Sequence, residues 1–417
     1  MITSFKFNNC FAFDKPVEMN LRADMRTKKF NSNVFNINEN LNILKSIAIY
    51  GPNNTGKTTF IKCIKAIKAT LENDEINLMA NLFTKNLICE AGMSFIYEDI
   101  EYLYEFKFNF MERTYIYEKM SEVIRDKYNN ESEKLIFIKD TINDIYECPK
   151  DNKLQDVLHF ASNNNIIIYT VQTDKFEVLK DVKNILVSIA NSIEIVDMNN
   201  IPISKTIEML KNRSKETEKV VNFIRNADVY LEDIKYVDEI RLKVEGKEME
   251  EELHKNKNFL DQVKLVSVYK GREVPSIMFD SIGTKKISAL ASYVIGAIQE
   301  GKTLIIDELD SSLHFKVTRA IMSMFNNDVN KKAQLIATLH DVSLLDCKKM
   351  FRKDQIWFTD KDDEGTTLYS LKDFTYSENG IRDTSDIKEK YSKGEFGAIP
   401  EPDLISTLLE VGMSEEI

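Results

Sequence analysis

The clearest hydrophobic pattern in the chain is a fully apolar run that is followed by a helical stripe. Residues 46–50 read SIAIY, and five consecutive positions of this kind indicate a buried strand. From Lys57 to Thr70 the apolar residues recur at helical spacing and lysines occupy another face. The apolar positions are Phe60, Ile61, Ile64 and Ile67, and the lysines are Lys62, Lys65 and Lys68. The pattern predicts a strand, a loop and an amphipathic helix, in that order.

Other stretches alternate with period two, as half-buried strands do. The segments SFKFNN and FIYEDIEYLYEFKFNF near the N-terminus belong to this class, and a further hairpin is expected around residues 129–131. From about 154 to 227 the pattern becomes helical and charged, and strands return at 234–244 and 263–269. No heptad pattern persists long enough for a long coiled coil.

The loop between the first strand and helix carries candidate chemistry. It reads GPNNTGKT over residues 51–58 and satisfies G-x-x-x-x-G-K-[ST]. In such a loop, backbone N–H groups and the helix N-terminus hold phosphates, Lys57 reaches the β- and γ-phosphates, and Thr58 binds Mg²⁺. The alternative is a polar turn that matches by chance, which the position between strand and helix disfavours. The predicted ATP-binding residues are Gly51, Asn53, Asn54, Thr55, Gly56, Lys57, Thr58 and Thr59.

A second candidate lies far downstream, where the apolar run Thr303–Ile306 ends in Asp307 and Glu308. A strand that ends in two acids near a phosphate loop predicts that Asp307 holds Mg²⁺ and Glu308 activates a water molecule. Taken alone, the same residues also fit a buried strand that ends in a solvated acidic turn. The phosphate loop favours the catalytic interpretation.

Between these two motifs, Ser281-Ile282-Gly283-Thr284 opens a helical run that Gly301 ends. A hydroxyl, a glycine and a helix N-terminus form a second anion site, although Ser281 also fits an ordinary helix N-cap. One chain does not need two such sites for one γ-phosphate. Two chains arranged head to tail do, because each turn then closes over the nucleotide held by the other chain.

A histidine follows the predicted strand at 334–338, and an aspartate follows the two acids. At this strand end, His340 is expected to hydrogen-bond the γ-phosphate, and Asp310 lies where a dimer-contact loop is expected. The other histidines, His159, His254 and His314, are interpreted as ordinary surface or packing residues.

Composition excludes several classes of protein. The chain has 417 residues, a net charge of −11 and a pI near 5.2, so contact with nucleic acid needs a local basic surface or another subunit. Its five scattered cysteines contain no CxxC pair, which argues against a zinc ribbon or disulfide framework and fits a reducing cytoplasm. The N-terminus lacks a leader pattern, and no apolar run approaches the roughly 18 residues of a membrane span.

The motifs GPNNTGKTT, SIGTKK, LIIDELDSSLH and ATLHD resemble those of the ABC-type ATPase head, close to its SMC-like and OLD-like branch. More narrowly, SFKFNNCFAFDKP and FRKDQIWFTDKDDEGTTLYSLKDF, followed by KGEFGAIP, resemble bacterial abortive-infection ATP-binding proteins, the AbiL-like family of AAA-type ATPases. The resemblance covers about 1–115 and 265–400.

The resemblance assigns roles to the candidate residues. It implies that the phosphate loop is Walker A, that Asp307 and Glu308 are Walker B, and that Ser281, Gly283 and Thr284 form the signature. It also makes Asp310 the D-loop residue and His340 the switch histidine. Asp280 departs from the family's usual glutamate, and no glutamine is assigned to the Q-loop position; Gln155 and Gln172 lie in the predicted insertion.

The fold expected from pattern and resemblance is α/β: an ABC-type P-loop ATPase head with a mixed sheet and an inserted, mainly helical lobe. We expect residues 1–115 to form the first part of the head, 116–230 the lobe, and 231–417 the second part of the head.

Four functions compete at this stage. The first is an ATPase that dimerises, or assembles further, around two ATP molecules with Mg²⁺ and regulates a separate effector in abortive-infection defence against phage. The effector would be a nuclease or toxin from a neighbouring gene. The second is an SMC-like clamp that binds or repairs DNA, so nucleic acid remains a candidate partner, although long arms and a basic surface are missing. No membrane association is expected.

The two other functions are disfavoured. An OLD-like protein carries a nuclease domain after its head, and residues 341–417 are too few to complete the head and add that domain. The run DKDDEG at 360–365 resembles a metal-binding motif but fits a hairpin turn better. A GTPase would need an [NT]KxD motif, which the chain lacks, so ATP is preferred to GTP.

Overall fold

The structure is a computed structural model, and it describes residues 1–126, 130–213, 215–237, 261–362, 365–375, 385–399 and 404–413. Several sequence predictions fall outside these ranges: the tip of the hairpin at 129, the strand beyond 237, His254, and Asp363 and Glu364 of the DKDDEG run.

The described strands form four sheets. They are β1 (Ile2–Asn8), β2 (Val17–Asn20), β3 (Val34–Asn38), β4 (Leu41–Leu44), β5 (Ser46–Tyr50), β6 (Ile88–Tyr97), β7 (Ile100–Asn109), β8 (Thr114–Arg125), β9 (Glu131–Asp140), β10 (Ile145–Glu147), β11 (Ile193–Asp197), β12 (Asp233–Tyr236), β13 (Leu265–Tyr269), β14 (Arg272–Pro275), β15 (Thr303–Asp307), β16 (Gln334–Thr338), β17 (Ile356–Asp362) and β18 (Gly365–Ser370).

The described α-helices are α1 (Lys57–Asn73), α2 (Asn152–Phe160), α3 (Ile167–Thr170), α4 (Glu177–Asn191), α5 (Ser204–Asn212), α6 (Lys215–Ala227), α7 (Ser276–Phe279), α8 (Ile282–Glu300), α9 (Phe315–Phe325), α10 (Ile387–Ser392) and α11 (Leu404–Met413).

The central element is a six-stranded sheet with the order β11-β15-β16-β5-β17-β18. All its neighbouring pairs are parallel except β17 and β18, which form an antiparallel hairpin. Three of these strands, β5, β15 and β16, are buried at every position, as strands covered on both faces must be. Their carboxyl ends lie side by side, which is where ligands bind in such sheets.

Helix α1 lies between this sheet and the seven-stranded antiparallel sheet β10-β9-β8-β7-β6-β1-β2. Its aromatic residue Phe60 makes edge-to-face contacts with Phe5, Phe7 and Phe13, with ring centroids 5.5 to 6.4 Å apart. Aromatic rings prefer this geometry, so the four side chains fix α1 against the N-terminal strands.

The opposite face of the central sheet packs on α8 and α9, with Leu290, Val294 and Phe325 in the second core. A third core joins α5, α6 and α8 to the small sheet β12-β13-β14. Helix α8 therefore contributes to two cores, which fixes its N-terminus relative to the central sheet.

The fold class expected from the sequence, an α/β head with a mixed sheet, is confirmed. The predicted strand at 46–50 and the helix from Lys57 are present, and Phe60, Ile61, Ile64 and Ile67 are all buried. The N-cap at Ser281 and the helix end at Gly301, where φ is +71°, are also present. The metal-binding interpretation of 360–365 gives way to the hairpin, in which Asp362 pairs with Gly365.

Two local predictions were wrong. The segment from 154 to 227 is not helical throughout, because β11 lies within it and pairs with β15 of the central sheet. The helix expected to run from 211 to 226 is interrupted at Arg213, whose φ is +47°. Strands β8, β9 and β10 also continue the seven-stranded sheet beyond residue 115. The three-part division at 115 and 230 remains a prediction.

No helix among the described residues is long and apolar enough to cross a membrane. The five cysteines, Cys10, Cys63, Cys89, Cys148 and Cys347, are all buried and free.

Candidate nucleotide-binding site

The loop between β5 and α1 can be formed only with glycine at two positions. Gly51 has φ of +151°, and a Cβ there would lie 2.3 Å from the carbonyl oxygen of Thr359 on β17. Gly56 has φ of +104°, and its Cβ would lie 2.8 Å from Cγ2 of Thr366 on β18. Both glycines therefore let the hairpin β17–β18 pack directly against the loop.

The outer side of the loop presents backbone and polar groups to solvent. Gly56 occupies the N-cap position of α1 and supplies no side-chain acceptor to the first N–H groups of the helix. Asn53, Asn54 and Thr58 are exposed. The shape of the loop is held from within by Thr55, whose hydroxyl bonds the carbonyl oxygen of Pro52 at 2.8 Å. This cradle suits an anion, because the N-terminus of a helix carries a partial positive charge.

Lys57 is buried at the bottom of the cradle. Its ammonium group donates hydrogen bonds to the carbonyl oxygens of Gly51, at 2.5 Å, and Pro52, at 2.8 Å. Burial lowers the pKa of Lys57, while the charges of Asp307, Glu308 and Asp310 act in the opposite direction. These acids therefore lie within electrostatic reach of the lysine.

The acidic motif Asp307-Glu308 is held in place by Thr338, a residue that the sequence analysis did not identify. The hydroxyl of Thr338, at the end of β16, donates to Oδ1 of Asp307 at 2.7 Å and accepts from the N–H of Glu308 at 2.6 Å. Asp307 is buried, and Glu308 adopts a left-handed φ of +55°. This conformation directs the chain away from the strand immediately after the first acid.

The side chain of Glu308 is about one-third exposed, at 34%. Its Oε2 accepts a hydrogen bond of 2.8 Å from the Asn199 side chain, and its Oε1 lies 3.9 Å from Nε2 of His340. Asp310 fixes the histidine backbone, because its Oδ2 accepts from the N–H groups of His340 and Asp341, at 2.6 and 2.5 Å. Asn199 had no local sequence signal, since it lies in a segment predicted to be helical.

The Ser281–Thr284 turn has different neighbours. The Ser281 hydroxyl caps α8 by accepting from the N–H of Thr284, at 3.1 Å, and the Thr284 hydroxyl donates to Asp228 at 2.6 Å. A Cβ on Gly283 would lie 3.0 Å from the carbonyl oxygen of Ser312. Asp280 is buried and accepts hydrogen bonds of 2.8 Å from Ser267 and Tyr269. The contacts of this turn therefore lead to α6 and the loop after β15.

The residues of the site fit a nucleoside triphosphate with Mg²⁺. The cradle with its uncapped helix offers N–H groups to phosphates, and Thr58 and Asp307 supply the hard oxygen ligands that Mg²⁺ prefers. Among the described residues, no cluster of three or more His, Cys, Asp or Glu side chains could hold a metal ion. Gln155 and Gln172 are exposed on the helical segment.

The central sheet, the glycine cradle and the acids at the neighbouring strand end define a P-loop protein of the ATPase type. The chain belongs to the family described as "AAA domain, putative AbiEii toxin, Type IV TA system", whose model matches residues 46–346. No curated protein matches the chain.

Among solved structures, 122 chains match, and three SMC heads illustrate the likeness. The "SMC head domain from Thermotoga maritima" is 11% identical with a TM-score of 0.42, and the match covers 88% of this chain and 98% of that one. An SmcHead bound to the C-winged helix domain of ScpA is 12% identical with a TM-score of 0.45, and the match covers 88% of this chain and 97% of that one. A Pyrococcus furiosus Smc head with an extended coiled coil, bound to the C-terminal domain of ScpA, is 10% identical with a TM-score of 0.42. That match covers 88% of this chain and 96% of the other. At these scores the likeness carries no argument about function.

Proposed function

We propose that this protein is an ATP-hydrolysing switch of the ABC type, in which two copies close around two ATP molecules. The observation that carries the proposal is the position of the glycine cradle with Lys57, of Asp307 and Glu308, and of His340 at the carboxyl ends of β5, β15 and β16, which are neighbours in the central sheet. These groups are of the types that bind a triphosphate and activate water, and family membership supports the same chemistry.

Each residue has a distinct role in this proposal. The N–H groups of residues 51–59 and the ammonium of Lys57 hold the phosphates. Thr58 and Asp307 would hold Mg²⁺, which would supply positive charge to neutralise the phosphates. Glu308 accepts the proton of the attacking water, and His340 donates a hydrogen bond to the γ-phosphate.

The site is incomplete in one copy according to this proposal. The Ser281–Thr284 turn approaches Asp228 and Ser312 of its own chain, and within the described part of the chain its hydrogen bonds include no residue of the phosphate loop. We infer that the turn of each copy closes over the phosphates held by the other copy, with Asp310 at the contact.

Light scattering of a Glu308→Gln variant tests the composite site. With Mg-ATP, this variant binds nucleotide without turnover, so we expect its mass to double, whereas a Glu308→Gln, Ser281→Arg double variant stays monomeric. A Lys57→Ala variant is expected to lose nucleotide binding. If Glu308→Gln shows no ATP-dependent association and the wild type hydrolyses ATP as a monomer, the composite site is wrong.

For the biological role we propose a cytoplasmic sensor or regulator of abortive infection, of the AbiL-like kind, that controls a nuclease or toxin from a neighbouring gene. The type IV toxin–antitoxin description of the family supports this context.

A pull-down of tagged Glu308→Gln protein with ATP, expressed with its flanking genes, tests the role. A neighbouring gene product at stoichiometric yield and free of DNA supports it. Nuclease-sensitive DNA without a protein partner favours the SMC-like clamp instead.

A further inference from the structure

Asn199 connects the proposed general base to another part of the molecule. It lies just after β11, where its N–H donates to Oδ1 of Asp197 at 2.8 Å and fixes the loop. One end of its side-chain amide donates to Oε2 of Glu308 at 2.8 Å, and the other accepts from the hydroxyl of Ser311 at 3.1 Å.

The connection continues into helix α8. Lys286, on the second turn after Ser281, donates from its ammonium group to the Ser311 hydroxyl at 2.9 Å. The same ammonium group also donates to the carbonyl oxygen of Ser311, at 3.3 Å, and to the hydroxyl of Ser312, at 3.4 Å. A row of hydrogen bonds thus runs from Lys286 through Ser311 and Asn199 to Glu308.

The direction of each bond in this row follows from the groups themselves. An ammonium can only donate and an ionised carboxylate can only accept. The Asn199 amide must therefore present its NH₂ to Glu308 and its oxygen to Ser311, and Ser311 must use its single proton for Asn199. In each of the three bonds a donor faces an acceptor, so the row forms without leaving any two of its polar groups in conflict.

We propose that Asn199 is the positioning residue of Glu308, and that Lys286 and Ser311 couple this position to the signature helix. The inference rests on the proposed function, because it assumes that Glu308 is the general base. Glu308 is partly exposed and has no other short side-chain contact among the described residues, since His340 lies 3.9 Å away. The amide therefore restricts its rotamer.

The consequence concerns the two sites of a dimer. The Ser281–Thr284 turn of each copy meets the partner's nucleotide, while Lys286 of the same helix orients Glu308 of its own site. A small displacement of α8 on closure then changes the geometry of the carboxylate in the other site. Hydrolysis at one site thereby depends on occupancy of the other.

The kinetic test compares Asn199→Ala with Asn200→Ala. Both residues are exposed amides of one loop, but the Asn200 side chain bonds Asp197, at 3.0 Å, and has no part in the row. We expect Asn199→Ala to lower kcat about tenfold with KM unchanged, because the base is misplaced and binding is not. Asn200→Ala should retain both constants. An unchanged or increased kcat in Asn199→Ala overturns the inference.

A double-mutant cycle tests the coupling. Lys286→Met removes the ammonium and keeps the length of the side chain, and it should lower kcat less than Asn199→Ala does. The double variant should be no slower than Asn199→Ala alone, since both changes act through one carboxylate. If the fold reductions in kcat of the two single variants multiply in the double variant, Lys286 and Asn199 act independently, which contradicts the coupling through the row of hydrogen bonds.

A nucleotide-free measurement keeps the test independent of turnover. In ¹⁵N-labelled protein, the side-chain amide signals of Asn199 should shift in Ser311→Ala, whereas those of Asn200 should not. Identical Asn199 signals in the variant contradict the row of bonds. Glu308→Gln is measured in parallel: if it still hydrolyses ATP, the proposed function fails, and if it does not while Asn199→Ala is fully active, only the present inference fails.

Discussion

At the scale of single residues, the site depends on the absence of a side chain at Gly51. The loop turns there with a positive φ, and the carbonyl oxygen of Thr359 fills the space that a side chain would need. The same absence lets β17 pack against the cradle and leaves the loop N–H groups accessible to phosphate. Phosphate binding and the packing of β17 therefore both require glycine at this position.

A Gly51→Ala variant is expected to lose both stability and nucleotide binding. The methyl group clashes with backbone and forces a strained φ, so the free energy of unfolding should fall by about 2 to 3 kcal/mol. Denaturant unfolding and nucleotide titration measure the two effects. The control is Gly271→Ala, where φ is +70° but no atom lies within 4 Å of the new Cβ. It should cost about 1 kcal/mol and retain binding; equal losses in both variants would contradict this explanation.

At the scale of elements, helix α8 begins with an acid beside it. The Thr284 hydroxyl at its first turn donates to Asp228, which directly follows α6. This bond fixes the turn but places a carboxylate where the partner's phosphate is expected. In the proposed dimer, this carboxylate would repel the partner's phosphates and oppose closure, and bound Mg²⁺ would offset part of the repulsion.

Asp228→Asn should therefore strengthen ATP-dependent association. The amide oxygen still accepts from Thr284, but the repulsion of phosphate disappears, so several-fold less ATP should suffice for half-maximal dimerisation. Light scattering in a Glu308→Gln background measures the midpoint. Asp156→Asn, at an exposed position of α2, controls for the change in net charge. A midpoint that is unchanged or higher in Asp228→Asn contradicts the role of this acid.

A buried acid links two other elements. Glu118 of β8 accepts hydrogen bonds from the Tyr104 hydroxyl, at 2.9 Å, and from the N–H of Ile167 at the start of α3, at 2.8 Å. Burial raises the pKa of Glu118 from the ordinary 4.5 to about 7, although these bonds favour the charged form. The folded protein consequently retains a proton that the unfolded chain loses between pH 4.5 and 7.

Stability should therefore fall as the pH rises through this window, because the unfolded state binds fewer protons there. The contribution of Glu118 is on the order of 3 kcal/mol, at about 1.4 kcal/mol per pH unit. Glu118→Gln should flatten the dependence of the unfolding free energy on pH, measured by denaturant titration from pH 4.5 to 8. Glu112→Gln, on an exposed turn, should retain the wild-type slope. Equal slopes for wild type and Glu118→Gln would refute the burial effect.

At the scale of the whole molecule, the parts that could be predicted are those with local signals. The strand β5, the cradle and α1 follow from an apolar run, two glycines and a helical stripe. The strand β11 could not be recognised, because five residues between helices become a strand only through pairing with β15, more than 100 residues later. Thr338 and Asn199 were missed for the same reason, since Asn199 meets Glu308 across 109 positions of sequence.

The central claim is that each active site is built from two copies of the chain. It is tested most directly by the ATPase rate of Glu308→Gln and Ser281→Arg proteins, measured separately and mixed. Each variant alone should be inactive, because Glu308→Gln dimers lack the general base and Ser281→Arg copies do not associate with one another. In a mixed dimer, one site combines the intact Glu308 of one copy with the intact Ser281 of the other.

The account predicts that activity returns on mixing and peaks at an intermediate ratio, at up to about one quarter of the wild-type rate; this is the value for random pairing, in which half the dimers are mixed and each has one intact site. Both variants should bind ATP and unfold like the wild type, so the absence of ATPase activity in either variant cannot be attributed to misfolding. A mixture whose activity is only the sum of its two components at every ratio would contradict the composite site.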